Sequence, residues 1–293
     1  MSSRSRKEAL PLRRLNMTRN KAGRQEKAGQ KMAKFCALYS GSSGNCTYIA
    51  SGGTAVLVDA GVSCKRILTA MQECQLDREE VQGILLTHEH IDHIRGLKVL
   101  LKHLKVPVYA SEGTLHYLIA NGLVPADARL VEITAPTRIG GMEVTPFATP
   151  HDGAETLGFV VHTGDGRKIG VATDLGHVPP QVDAALSTCD LVLLESNYDE
   201  GMLACGPYPY YLKRRIKSPN GHLSNEDCCA QVQRLIEGGT TRFVLGHLSQ
   251  QNNLPMLARQ TVLSALEAAG CREGVDYILQ VARRSQPSEI ILL

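Results

Sequence analysis

From about residue 34 onward, short apolar runs alternate with stretches whose apolar residues recur every three to four positions. The short runs predict strands at 35–39, 46–50, 55–59, 83–87, 106–110, 142–148, 158–162, 168–173, 190–195, 242–246 and 277–280. The longer repeats predict helices at 63–75, 93–104, 111–121, 179–187, 208–217, 224–237 and 254–269. The segment after His93 shows the helical period well. Ile94, Leu97, Leu100, Leu101 and Leu104 form one stripe, and Lys98, Lys102 and Lys105 take the other face. Gly/Ser turns join the first strands, and later strands alternate with helices. No Pro/Ser-rich linker and no nameable repeat interrupts this order. It predicts one α/β domain over 34–293, with sheets inside and helices outside.

The 293 residues suffice for such a domain. Without Trp and with only four Phe, its core must be built from Leu, Val, Ile and Ala. No apolar run approaches the roughly 20 residues that span a bilayer, so no membrane partner is expected. Residues 1–34 carry eleven Lys/Arg against Glu8 and Glu26, which leaves 21 Lys/Arg against 27 Asp/Glu in 35–293. The basic excess therefore lies in a tail. Such an arm can bind nucleic acid or anionic lipid. Without aromatics or an apolar stripe, 1–33 reads instead as a disordered basic extension, or as sequence upstream of a true start at Met32. It has no apolar stretch of the secretory kind. Nine cysteines, an odd number with no C-x-x-C, argue against a disulfide framework and fit reduced thiols in a cytoplasmic protein.

Candidate chemistry concentrates in Thr87–His93. The run follows the apolar strand Ile84-Leu85-Leu86 and precedes the amphipathic helix. His88 and His90 are two apart, so on extended backbone their imidazoles fall on one side and reach one cation. Asp92 takes a helix N-cap position, and His93 opens the helix beside it. Nitrogen and oxygen ligands suit Zn²⁺ or Mn²⁺ and argue against a thiolate site.

His88-x-His90-x-Asp92-His93 resembles the signature of the metallo-β-lactamase fold, a four-layer αββα sandwich. The resemblance implies three more ligands at strand ends: His151 in Thr149-Pro150-His151-Asp152, Asp174 in Ala172-Thr173-Asp174-Leu175, and His247 in Leu245-Gly246-His247-Leu248. It implies two divalent metal ions, Zn²⁺ or Mn²⁺. His88, His90 and His151 would hold one, Asp92, His93 and His247 the other, and Asp174 would bridge them. Asp59, also at a strand end, would orient a metal-bound His without ligating.

The fold hosts many hydrolases, so it decides no substrate. Glu195, in Leu194-Glu195-Ser196-Asn197, and His222, in Gly221-His222-Leu223-Ser224-Asn225, resemble the proton relay of the RNase Z and RNase J branch. A departing sugar oxygen needs such an acid. Ser224 and Asn225 open a helix, whose free N–H groups favour phosphate. Ser42 and Asn45, in the turn Ser40-Gly41-Ser42-Ser43-Gly44-Asn45, are further phosphate candidates. So is Arg214, in a cluster with Lys213, Arg215 and Lys217 beside Tyr208, Tyr210 and Tyr211.

Together with Gly206-Pro207-Tyr208-Pro209 and His247-Leu248-Ser249-x-x-Asn252-Asn253, these stretches are similar to the YycJ/WalJ-type subgroup. The resemblance runs from about Lys34 nearly to the C-terminus. It implies 5′-to-3′ exonuclease action on DNA. A shared hydroxide would attack phosphorus, with catalytic roles for Asp92, Glu195 and His222. Only 26 residues separate Glu195 from His222, which leaves no room for the inserted domain of RNase J and favours DNA over RNA. The alternatives are a small-molecule metallo-hydrolase for thioesters or lactams, and a metal-stabilised nucleic-acid-binding protein without turnover.

Overall fold

The computed structural model describes residues 32–293; the expectation for the basic tail falls on residues outside it, apart from its end at Met32 and Ala33. Ala33 is already fully buried, so the domain starts at or before it.

The first sheet contains β1 (Lys34–Tyr39), β2 (Cys46–Ser51), β3 (Thr54–Val58), β4 (Val81–Leu85), β5 (Val108–Ala110), β6 (Leu130–Glu132) and the late edge strand β14 (Ile291–Leu292). Its order is β14-β1-β2-β3-β4-β5-β6. The second contains β7 (Thr137–Ile139), β8 (Met142–Ala148), β9 (Leu157–His162), β10 (Lys168–Ala172), β11 (Leu191–Glu195), β12 (Arg242–Gly246) and β13 (Ile278–Val281), in the order β13-β12-β11-β10-β9-β8-β7. In each sheet the earlier strands pair antiparallel and the later ones parallel, except that the late strand β14 pairs antiparallel with β1.

Period-two alternation divides the strand side chains between two faces. Phe35, Ala37, Ile49, Val56, Val58 and Leu85 meet Val144, Phe159, Val161, Val171, Leu193 and Val244 between the sheets. Truncating one of these, Phe159 for example, costs about 3–5 kcal/mol. The alternate residues Leu38, Tyr48, Leu57 and Ile84 pack outward. They meet α1 (Cys64–Glu73), α3 (Leu97–Leu104) and α4 (Glu112–Ala120) through Ile67, Met71, Leu97, Leu100 and Leu118. Val192, Leu194, Phe243 and Leu245 meet α5 (Pro180–Leu186), α8 (Asn225–Glu237) and α9 (Pro255–Ala268) through Val182, Leu186, Val232, Leu235 and Val262. Helix, sheet, sheet and helix make four layers, as expected. Among the described residues no helix is long and apolar enough to cross a membrane.

The helix expected over 93–104 is divided into α2 (Ile91–Ile94) and α3. Gly96 breaks it, donating its N–H to Ala60 O at 2.8 Å. A Cβ there would lie 2.1 Å from Val62 O, so the glycine is where α3 docks on the loop after β3. The short elements β6, β7, β14 and α6 (Glu200–Cys205) were not foreseen; each is too short to display a period. The remaining helix, α7 (Tyr210–Ile216), starts after Pro209.

Candidate metal centre

The segments that follow β3, β4, β8, β10, β11 and β12 meet at one end of the two sheets. They carry Asp59, His88–His93, His151, Asp174, Glu195 and His247, the last loops being where open α/β sheets place their ligands. Among the described residues, five non-glycine residues have left-handed backbone. Gln75 and Lys105 end helices, but Asp59 (φ 63°), Asp174 (φ 57°) and His247 (φ 53°) leave strands at the site. The sharp turn throws each side chain inward, a local cost of about 1–3 kcal/mol that the surrounding packing must sustain. Gly61 completes the platform: a Cβ there would lie 1.6 Å from Asp92 O.

Six histidine rings close a circuit. Centroid separations are 4.6 Å for His88–His90, 5.2 Å for His90–His151, 4.9 Å for His151–His222, 5.3 Å for His222–His247, 5.7 Å for His247–His93 and 4.1 Å for His93–His88. Five of these rings are held through Nδ1. That atom lies 3.0 Å from Thr87 Oγ1 in His88, 2.8 Å from Asp59 Oδ2 in His93 and 2.8 Å from Gly221 O in His151. It lies 2.7 Å from Glu195 Oε1 in His247 and 2.8 Å from the same oxygen in His222. Each bond leaves Nε2 for the interior, the arrangement that orients imidazole toward a metal.

Among the described residues the donor atoms gather in four groups within 4.8 Å: His88, His90 and His151; Asp92, His93 and His247; His88, His93 and Asp174; and Asp174, Glu195, His222 and His247. Among the described residues, Nε2 of His88, Nε2 of His247 and Oδ2 of Asp174 are buried without a hydrogen bond, although Asp92 Oδ2 lies 3.5 Å from the His247 atom and His93 Nε2 lies 3.2 Å from the Asp174 atom. Buried polar atoms left so are costly. A divalent cation resolves that cost, and the all-nitrogen-and-oxygen donor set fits one.

Burial and neighbouring imidazoles, His93 foremost, hold the His88 ring well below the usual histidine range. Burial also depresses His151, although Asp174 opposes it. In His93 the carboxylates of Asp174, Asp59 and Asp92 overcome burial and raise the ring well above that range. In His247 Asp174, Asp92 and Glu195 overcome burial and raise it to about 10. Burial would raise Glu195, but His222 and His247 bring it down to about 2. Burial likewise opposes ionisation of Asp174, and the surrounding histidines hold it well below the carboxylate range.

Glu195 is fully buried. Its Oε2 accepts from the N–H groups of Leu175 (2.8 Å) and Leu223 (3.0 Å), so both oxygens are engaged. Beside it opens a cleft of about 160 Å³, lined by Ser42, Asn197, Tyr208, Ser249, His151 and His222 along with residues of α7. His222 therefore faces both the metal donors and the cleft. A larger groove of about 760 Å³ runs along α1, lined by Leu68, Met71 and Leu76, and holds none of the donors above.

Of the expected phosphate contacts, Ser42 lines the cleft, and the side chains of the others have partners elsewhere. Asn45 is buried; its Oδ1 accepts from Gly41 N–H, and its amide lies 3.1 Å from His93 Nε2. Ser224 caps α8, accepting from Asp227 N–H at 3.0 Å. Asn225 Oδ1 accepts from Ser196 Oγ and Asn253 Nδ2 at 2.7 and 2.8 Å inside the protein. These side chains brace the site, because buried amides and hydroxyls bind the nearest backbone or amide group. Arg214 points outward over the Tyr210 ring, and its neighbour Arg215 lines the cleft. Three residues were not singled out from sequence. Ser40 Oγ accepts from His247 N–H at 2.9 Å. Asn197 Nδ2 donates to His247 O at 2.8 Å. Asp152 Oδ1 lies 3.3 Å from His151 Nε2. For Asp152 the usable signal was adjacency to a candidate ligand.

The profile of the beta-lactamase superfamily domain matches residues 54–248. The exodeoxyribonuclease YycJ of Bacillus anthracis is 36% identical over 87% of this chain and 97% of its own. The exodeoxyribonuclease WalJ of Streptococcus pneumoniae is 35% identical over 83% of this chain and 92% of its own. The metallo-β-lactamase fold protein YhfI from Bacillus subtilis superposes with a TM-score of 0.65 over 87% of this chain and 99% of that one, at 14% identity. The chain thus belongs to the beta-lactamase superfamily, as a metallo-β-lactamase-fold hydrolase of the YycJ/WalJ type.

Proposed function

We propose that the chain is a two-metal phosphodiesterase that digests DNA, in preference to RNA, from the 5′ end. The observation that carries this reading is the 2.8 Å contact of His222 Nδ1 with buried Glu195, at the edge of a cleft beside the metal donors. The 35–36% identity to two exodeoxyribonucleases supports the choice of DNA.

His88, His90 and His151 would hold one cation, Asp92, His93 and His247 the second, and Asp174 would complete the donor set. Two such ions, Zn²⁺ or Mn²⁺, would supply Lewis acidity and a water that ionises near neutral pH. Asp59 keeps the His93 ring aimed, and Glu195 does the same for His247. Against burial, His93 and His247 hold the Asp92 carboxyl well below the usual carboxylate range, so it would serve as an ionised donor to the cation. His222 donates a proton from Nε2 to the departing sugar oxygen. Glu195 stays ionised throughout and stabilises the imidazolium that His222 must be before transfer. A thioester or lactam hydrolase has no use for that pair.

The test is to incubate the Mn²⁺- or Zn²⁺-loaded protein with single-stranded DNA, duplex DNA and RNA, each labelled at either end. Mononucleotides released from the 5′ end of DNA, faster than from RNA, are expected. Absence of cleavage, together with turnover of a thioester or β-lactam, overturns the reading.

A further inference from the structure

The four cations of 213–217 meet different fates. Lys213 Nζ donates to Ala204 O at 2.7 Å, Lys217 pairs with Glu200, and Arg214 lies over Tyr210. Arg215 alone among the four lines the cleft, and among the described residues no other Lys or Arg lines it. Its Nε donates to Asp152 Oδ2 at 2.5 Å. Its two terminal nitrogens make no hydrogen bond or ion pair among the described residues. A guanidinium has five N–H donors, so four remain free, in the planar fork that matches two phosphate oxygens.

Asp152 fixes where that fork points. Its Oδ1 lies 3.3 Å from His151 Nε2 and 3.8 Å from His90 Nε2, while Oδ2 holds Arg215. One carboxylate thus spans the distance between the metal donors and the guanidinium. The pair is a poor stabiliser, since the Arg215 side chain is 57% exposed. What it supplies is orientation. The cleft, at about 160 Å³, is smaller than the roughly 300–1,000 Å³ of small-molecule pockets. It suits a single phosphate with its sugar, against the hydroxyls of Ser42 and Ser249 and the amide of Asn197.

We propose that Arg215 is the phosphate clamp of this cleft, aimed by Asp152, and that it grips a backbone phosphate next to the one being cut. The inference rests on the nuclease reading above. Arg215 touches the substrate; Asp152 is a positioning residue.

The experiment measures anisotropy of a labelled, phosphorothioate-linked DNA dodecamer on the metal-loaded protein, over a range of salt. Arg215→Ala should weaken binding at least tenfold and lower the salt slope by about one phosphate's share, roughly 0.7 for a single strand. Arg214→Ala, which removes the same charge one residue away, should change binding less than threefold. Arg215→Lys keeps the charge without the fork and should recover only part of the loss. On ordinary DNA the Arg215→Ala effect should fall on KM more than on kcat. Asp152→Asn should weaken binding in the parent protein but add nothing in the Arg215→Ala background.

Equal effects of Arg214→Ala and Arg215→Ala, in folded proteins that still cut DNA, would overturn the clamp and leave the nuclease reading standing. A parent protein that neither binds nor cuts DNA would remove both. Loss of metal from Asp152→Asn, with metal retained in Arg215→Ala, would make Asp152 a ligand and end its positioning role.

Discussion

His88, His90, Asp92 and His93 lie within six residues of one strand-to-helix junction, whereas His151, Asp174 and His247 each follow a different strand. The two halves aim their rings by the same device. Asp59 stands behind His93 in the first half, and Glu195 stands behind His247 in the second. They differ in what else that carboxylate touches. Asp59 Oδ1 is engaged with Thr87, an internal brace. Glu195 also holds His222, whose ring lines the cleft. On the proposed reading, the first half would hold cation, and the second would hold cation and act on substrate.

The largest effect should come from His88→Ala. It removes a fully buried donor whose Nε2 has no other partner, so metal content should fall and turnover with it. The loss of turnover should exceed the roughly 10²–10⁴-fold that a missing general acid costs. Plasma emission spectrometry and cleavage rates on the same sample check this.

Next come the two carboxylates. Asp59→Asn and Glu195→Gln should each cost about 10–100-fold in metal affinity, the usual price of losing a group behind a metal-bound histidine. Glu195→Gln should in addition slow turnover of protein resaturated with metal, and Asp59→Asn should not. Equal kcat in the two resaturated variants would erase the distinction between the halves.

Metal binding should also displace protons. Carboxylate neighbours raise His93 and His247 above the usual range, so both are protonated at pH 7 in metal-free protein. At least two protons should leave on loading at pH 7, one from each ring, with a further fraction from bound water that ionises. The number should fall as pH rises through about 10, where His247 loses its own proton. Calorimetry in buffers of different ionisation enthalpy counts them. The smallest effect belongs to Ser224→Ala. Removal of the α8 cap should cost about 0.5–2 kcal/mol in denaturant titrations, with kcat and KM unchanged at saturation.

The first cluster of donors was legible because it is contiguous and sits where an apolar strand gives way to an amphipathic helix. His151, Asp174 and His247 came only through the resemblance to the metallo-β-lactamase fold, which implies donors at strand ends. Residue type tells what Asn45, Ser224 and Asn225 can bond but not which partner each meets: the Asn45 amide lies beside His93, Ser224 caps α8, and Asn225 meets Ser196. Arg214 and Arg215 are indistinguishable in a run of cations until α7 is placed against the loop carrying Asp152, 63 positions away. The break at Gly96 depends on Ala60 and Val62, in a loop that no helical period records.

The most direct test compares metal content and DNA cleavage in His222→Ala and His247→Ala, each measured on one preparation. Division of labour around Glu195 predicts full metal content in His222→Ala, with turnover reduced by about 10²–10⁴-fold. His247→Ala should lose metal and turnover together. Loss of metal from His222→Ala, with metal retained in His247→Ala, would contradict the assignment and exchange the roles of the two histidines.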